Sequence, residues 1–131
     1  MLVSCAATNK VESEATNDAR FNTLISNDRT YRVQWHSLPD PIPLNEPFAL
    51  ELVIFENGND DQDPLRVELA IDGRMPEHRH GMNVFPEVVR GASGSYRVSN
   101  MLFHMPGYWQ LHFDITVDGV TERAQADVDL E

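Results

Sequence analysis

The chain has 131 residues, of which 41% are hydrophobic and 24% charged, which is typical of one soluble globular domain. Its formal net charge of −11 excludes the basic surface that nucleic acid binding requires. No apolar run is long enough to cross a bilayer, and the only cysteine, Cys5, excludes an internal disulfide framework.

The first five residues, MLVSC, resemble the end of a bacterial lipoprotein signal, in which a small residue precedes a cysteine that becomes lipidated. A polar segment that is poor in aromatic residues follows Cys5 as far as about Asp28. We therefore predict a lipoprotein-like N-terminus and flexible linker over residues 1–28, and one folded domain over residues 29–131. An extracytoplasmic location follows, in the periplasm or at the cell surface, with the membrane reached only through Cys5. The alternative is a chance tetrapeptide in a frayed terminus.

From residue 29 onward, apolar and polar residues alternate as they do in half-buried strands. The segments are TYRVQWH, FALELVIFE, LRVELAID, NVFPEVVR, SYRVSNMLFHM, YWQLHFDITV and RAQADVDL. Pro86 indicates that the fourth of them is an edge strand or contains a bulge. Turn-rich joints separate the segments, among them PDPIPLNEP and the hairpin signal Asp118-Gly119. About seven strands at this spacing predict an all-β fold, an immunoglobulin-like antiparallel β-sandwich.

Histidine and methionine are concentrated in two stretches between these strands. MPEHRHGM, residues 75–82, holds two of each, and MLFHMPGYW, residues 101–109, holds one more histidine and two more methionines. If the first stretch is extended, His78, His80 and Met82 project from one side, because side chains alternate along a strand. Imidazole binds copper and zinc, whereas a thioether selects for Cu(I).

The second stretch can add ligands only where its strand stops. Along a strand, Met101 and Met105 would face one side and His104 the other, so His104 and Met105 can share a metal only beyond the strand's end. Pro106 and Gly107 favour such an end, because both residues interrupt regular pairing. Met101 is expected in the core, since methionine fills irregular gaps well.

The segments DGRMPEHRHGMNVFPEV and GSYRVSNMLFHMPGYWQLHFDITVDG resemble the YtkA-like family, which is related to FixH-like extracytoplasmic domains. Members are small immunoglobulin-like domains associated with copper handling and cytochrome oxidase assembly. The resemblance covers about Tyr31 to Leu130, and it implies that Trp109 is a packing residue. The copper ligands that it implies are Met75, His78, His80, Met82, His104 and Met105.

A partial resemblance to periplasmic copper chaperones adds one further point. The 21 residues between Met82 and His104 match one spacing of their His and Met motif. Ile71, however, stands where the first ligand of that motif would be, and His104 and Met105 are adjacent rather than spaced.

Two functions follow as hypotheses. The first is an extracytoplasmic copper-binding domain, a carrier or buffer and not an enzyme, that holds Cu(I) through histidine and methionine. Zinc is the less favoured metal, and a copper-accepting membrane or redox protein is the expected partner. The alternative is a metal-free β-sandwich module that docks on a membrane or redox partner.

Two other kinds of metal site compete with these hypotheses. A blue-copper electron carrier is excluded, because it needs a cysteine ligand and Cys5 lies in the predicted linker. A catalytic zinc site takes about three protein ligands and a positioned base. It could be drawn from His78, His80 and His104 with Glu77 as the base.

Overall fold

The computed structural model describes residues 21–59 and 63–131. These residues form two antiparallel sheets that pack against each other across one hydrophobic core, so the predicted antiparallel β-sandwich is confirmed. It contains more strands than the sequence indicated. The strands are β1 (Asn22–Ile25), β2 (Tyr31–Leu38), β3 (Phe48–Glu56), β4 (Glu68–Met75), β5 (His80–Gly81), β6 (Glu87–Arg90), β7 (Tyr96–Met101), β8 (Gly107–Val117) and β9 (Val120–Leu130).

The five-stranded sheet has the order β1-β2-β3-β7-β6, and the four-stranded sheet has the order β5-β4-β8-β9. Strand β6 is outermost in its sheet, which confirms the edge position predicted from Pro86. Strand β4 pairs with β8 from Glu68↔Thr116 to Arg74↔Gln110, so the end of β4 lies beside the beginning of β8. This pairing brings the two histidine- and methionine-containing stretches to the same end of the sandwich.

Strand β8 illustrates how alternation builds the core. Trp109, Leu111, Phe113 and Ile115 are all completely buried, whereas the residues between them are only half-buried. Burying one such side chain contributes about 1.5–3 kcal/mol, so this face of β8 anchors the four-stranded sheet. The buried side chains of the five-stranded sheet in the same core include Val33, Leu50, Leu52, Ile54 and Val98.

The folded domain begins earlier than the predicted boundary near Asp28. Residues Asn22–Ile25 form β1, which pairs with β2 inside the segment that was predicted to be a linker. A four-residue edge strand with two apolar residues carries too little alternation to be distinguished from coil. The predicted lipid anchor at Cys5 lies outside the described residues. Within the described ranges, no helix is long and apolar enough to span a membrane.

The two ends of the sandwich are built from different connections. We call one the histidine end, formed by residues 39–47, 75–82 and 101–109. The backbone N–H of Asn45 donates to the carbonyl oxygen of Phe103 at 2.8 Å, which joins the first and last of these connections. The other end, which we call the opposite end, includes residues 26–30 and 118–119.

Candidate metal centre

The stretch MPEHRHGM forms a hairpin that joins β4 to β5, and not one extended strand. Met75 pairs with His80, and a four-residue turn lies between them. Pro76 ends β4 because proline has no N–H to donate to a ladder, and the N–H of His78 turns back to the Met75 carbonyl at 3.1 Å. The expectation that His78, His80 and Met82 project together from an extended strand is therefore wrong for His78.

His80 and Met82 lie toward the inner side of the four-stranded sheet. Directly opposite residues of an antiparallel pair share a face, and Met75, the partner of His80, is completely buried. The N–H of Met82 donates to the Gly73 carbonyl at 3.2 Å, and its Cγ lies 3.3 Å from where a Cβ on Gly73 would be. Both side chains are half-buried, so they stand at the rim of the core.

Three imidazole rings lie side by side at the histidine end. The ring centres of His78 and His80 are 5.8 Å apart, and those of His80 and His104 are 5.5 Å apart. An imidazole nitrogen binds a transition metal at about 2 Å, so two rings on one ion have centres about 5–6 Å apart. The ring-centre distance of each neighbouring pair is therefore compatible with a shared ion.

The three rings form a row with His80 in the middle. Among the contacts of the described residues, no ring contact joins His78 to His104. Within the same residues, no three side chains of His, Cys, Asp or Glu converge as a group that could hold a metal. The arrangement thus offers no support for the three-histidine zinc site with Glu77.

The backbone selects the nitrogen of His80 that is available to a metal. Its Nδ1 lies 3.1 Å from the carbonyl oxygen of Gly81. A carbonyl oxygen only accepts, so Nδ1 donates and Nε2 carries the lone pair. Metal-binding histidines commonly donate their other ring N–H to a backbone carbonyl in this way. His80 is therefore oriented as a ligand through Nε2.

His104 carries a buried nitrogen without a partner. Its Nδ1 is shielded from solvent and makes no hydrogen bond, although the residue as a whole is half-buried. A buried polar atom that is left unsatisfied costs about 1–3 kcal/mol. A metal bound through Nδ1 would supply the missing partner, so this residue fits the role of a ligand.

The loop that follows β7 meets the condition for His104 and Met105 to share an ion. Strand β7 ends at Met101, which is completely buried, so its predicted place in the core is confirmed. Met105 is half-buried against the core, and its carbonyl oxygen accepts a hydrogen bond from Nε1 of Trp109 at 2.9 Å. That bond fixes the loop directly beside His104.

Trp109 forms the buried wall of the cluster. It is completely buried, as expected for a packing residue, and its ring stacks on Phe103 with centres 4.3 Å apart. The rings of His80 and His104 contact Trp109 at 6.2 and 5.6 Å, with planes 74° from that of the indole. None of these contacts of Trp109 involves His78, so Trp109 packs against His80 and His104 and not against His78. We call His80 and His104 the two inner rings.

Met75 is separated from the other candidate ligands. Its side chain is completely buried, and its Cε lies 3.1 Å from where a Cβ on Gly107 would be. The whole side chain of Met75 is enclosed by the core, whereas His104 is only half-buried, so we leave Met75 out of the proposed ligand set. The structure places the other five candidates on the two stretches at the histidine end, namely His78, His80, Met82, His104 and Met105.

Two packing residues of the site were not predicted from the sequence. Phe103 supports Trp109 from behind, and a Cβ on Gly73 would lie only 2.5 Å from its ring. Glycine at position 73 is therefore required for the ring to approach β4. The sequence signal was present, because the alternation that predicted a buried Met101 also places Phe103 on the same side.

Few carboxylates lie in the hairpin. Residues 73–82 contain Arg74 and Arg79 against the single acid Glu77, although the chain as a whole is strongly acidic. Calcium and magnesium need several oxygen ligands, usually carboxylates. The hairpin offers nitrogen and sulfur instead, which favours a softer metal.

The chain matches no family model, no curated protein and no solved structure. The resemblance to the YtkA-like family stays a prediction.

Proposed function

We propose that this domain binds Cu(I) at the histidine end and serves as a copper carrier or buffer, not as an enzyme. The observation that carries the proposal is the pair of His80 and His104. Their rings have the spacing of a shared ion, and His80 presents Nε2 while His104 holds a buried nitrogen without a partner. Met82 and Met105, both half-buried, lie on the same two stretches.

The donor types favour Cu(I) over zinc. Thioether sulfur is a soft ligand that selects for Cu(I), and imidazole accepts several metals. Structural zinc sites use four ligands drawn from cysteine, histidine and carboxylates. Two imidazoles with one or two thioethers make a neutral ligand set, so the bound ion keeps its positive charge. The net charge of −11 would attract such a cation from a distance.

The proposed cellular setting rests on the sequence. A copper site without a thiolate suits an oxidising compartment, where free thiols are unreliable ligands. This agrees with the predicted extracytoplasmic location and with a lipid anchor at Cys5. The resemblance to YtkA-like domains supports a role in copper handling or oxidase assembly, with a copper-accepting membrane or redox protein as the partner.

The test is a titration of the purified domain with Cu(I) against a competing chelator. We expect His80→Ala and His104→Ala each to weaken binding on the order of 100-fold, because each removes one of two nitrogen ligands. His112→Ala is the matched control, since His112 lies at the middle of β8 opposite Gln125. Binding that is equally strong in all variants would refute the proposal.

A metal-free docking module is the second candidate, and one observation favours it. Phe85 is 88% exposed, and Val89 on the edge strand β6 is 58% exposed. Exposed apolar side chains beside an edge strand are common in protein interfaces. If docking is the whole function, the natural domain should bind no copper, and Phe85→Ser should abolish its binding to the partner. If the domain is a carrier, the same variant should keep its full copper affinity.

A further inference from the structure

We propose that His78 and His80 form a second, outer copper position, through which Cu(I) enters and leaves the inner position between His80 and His104. This inference rests on the proposed function. The three imidazole rings form a row in which the distance from His80 to each neighbour is compatible with a shared ion. The rings at the two ends of the row, His78 and His104, are not in contact.

The two positions differ in their access to solvent. His78 is exposed on the turn, whereas His80 and His104 are half-buried. Trp109 closes the inner side of the cluster, because it is completely buried and, of the three imidazoles, its ring contacts those of His80 and His104. An ion that arrives from solvent therefore meets His78 first and the inner pair second.

His80 can serve only one of the two positions at a time. Its Nδ1 is committed to the Gly81 carbonyl, so only Nε2 has a lone pair to offer. One lone pair binds one ion, which makes the outer and inner positions alternatives for a single copper. The domain thus holds one ion at two neighbouring positions, and it does not hold two ions.

The transfer between the positions is an exchange of ligands without a redox step. The bond from copper to His78 breaks as a bond to His104 or to a methionine sulfur forms, and the bond to His80 Nε2 is kept. Copper stays Cu(I), and no proton is moved because the imidazoles bind in their neutral form. The ion keeps at least one nitrogen ligand throughout, so its entry and release avoid a bare intermediate.

The row therefore assigns different tasks to the two terminal histidines. His104 determines how tightly the ion is held, because it belongs to the inner position against Trp109. His78 determines how fast the ion is exchanged, because it belongs only to the outer position. A single three-histidine site would give both residues the same effect on affinity.

The experiment measures equilibrium and rate on the same variants, with Cu(I) supplied by a coloured chelator. For His78→Ala we expect an affinity within about threefold of the natural chain, and uptake and release that are each slowed about tenfold or more. For His104→Ala we expect the affinity to fall on the order of 100-fold. His78→Met should restore the rates, since a thioether also binds Cu(I).

Three results would overturn the inference. Equal losses of affinity in His78→Ala and His104→Ala would mean one site made by all three rings. Unchanged affinity and unchanged rates in His78→Ala would place His78 outside the copper path. Failure of the natural chain to bind Cu(I) would instead refute the proposed function, and it would be seen before any variant is compared.

Discussion

The two ends of the sandwich differ in how they use their polar groups. At the opposite end, one carboxylate oxygen of Glu122 accepts from the Ser26 hydroxyl, from the Asp28 N–H at 2.9 Å and from the Thr30 N–H at 3.3 Å. This oxygen ties the β1–β2 turn to the beginning of β9. The hydrogen-bonding capacity of the turn is thereby satisfied within the fold.

At the histidine end, two ring nitrogens have no hydrogen-bond partner among the described residues. His104 has a buried Nδ1 without a partner, and His80 uses only one of its two ring nitrogens in a hydrogen bond. Buried polar groups in folded proteins are nearly always paired, and an exception requires an explanation. The two ends thus differ in how completely these polar groups are paired, and the proposed copper site would account for the difference.

The largest effect is expected from removing the Trp109 side chain at the histidine end. Trp109→Ala should lower the free energy of unfolding by about 3–5 kcal/mol, because it removes a completely buried indole and leaves a cavity beside Phe103. Urea unfolding followed by far-ultraviolet circular dichroism measures the loss. A change below about 1 kcal/mol would show that the ring is not part of the core.

A smaller effect is expected from breaking the hydrogen bonds to the Glu122 carboxylate at the opposite end, which we call the carboxylate network. Burial raises the pKa of Glu122, but the hydrogen bonds from Ser26, Thr30 and Asp28 outweigh it and hold the pKa below the ordinary 4.5. A lowered carboxyl pKa adds stability above the unfolded value of 4.5, and this stability is lost as pH falls through the folded value. Glu122→Gln should therefore cost about 1 kcal/mol at pH 7, the usual net value of a hydrogen bond.

The pH dependence separates this effect from a general loss of packing. Urea unfolding at about pH 7 and about pH 3 should show the difference between Glu122→Gln and the natural chain shrinking on acidification. Glu87→Gln, at an exposed position on β6, provides the matched control. A difference that is the same at both values would contradict the carboxylate network.

The smallest effect, and the one of opposite sign, is expected at His104. His104→Leu removes the buried nitrogen without a partner, so it should leave stability unchanged or raise it by up to about 1 kcal/mol. The same variant should bind copper on the order of 100-fold more weakly. Thermal unfolding of the copper-free domain measures the first expectation. A clear loss of stability would mean that the imidazole has a structural role, and the contrast between the two ends would fail.

Much of the fold could be predicted, because long strands carry clear alternation. The strand β8 repeats its buried positions from Trp109 to Ile115, and no other regular structure accommodates that pattern. Strands β1 and β5 were not predicted, since four and two residues contain too few alternations. Their pairing is determined by neighbours that lie elsewhere in the sequence.

The residue types of the candidate site could be predicted from the sequence, but the arrangement of the three histidines in a row could not. That His78, His80 and His104 belong together depends on the pairing of β4 with β8, which no local pattern reveals. The row depends on the turn after Pro76, where Arg79 has the left-handed φ of 57°. Met75 could have been assigned to the core from the sequence alone, because it continues the alternation from the buried Ile71.

The contact between Trp109 and the two inner imidazoles also has an optical consequence. The chain has two tryptophans, and Trp35 lies in the middle of β2 with its ring 5.9 Å from that of Phe113. Only Trp109 is in ring contact with His80 and His104, so one indole adjoins the proposed copper position while the other serves as an internal reference. If copper binds at the proposed position, the intrinsic fluorescence of Trp109 should therefore report its occupancy, without any attached label.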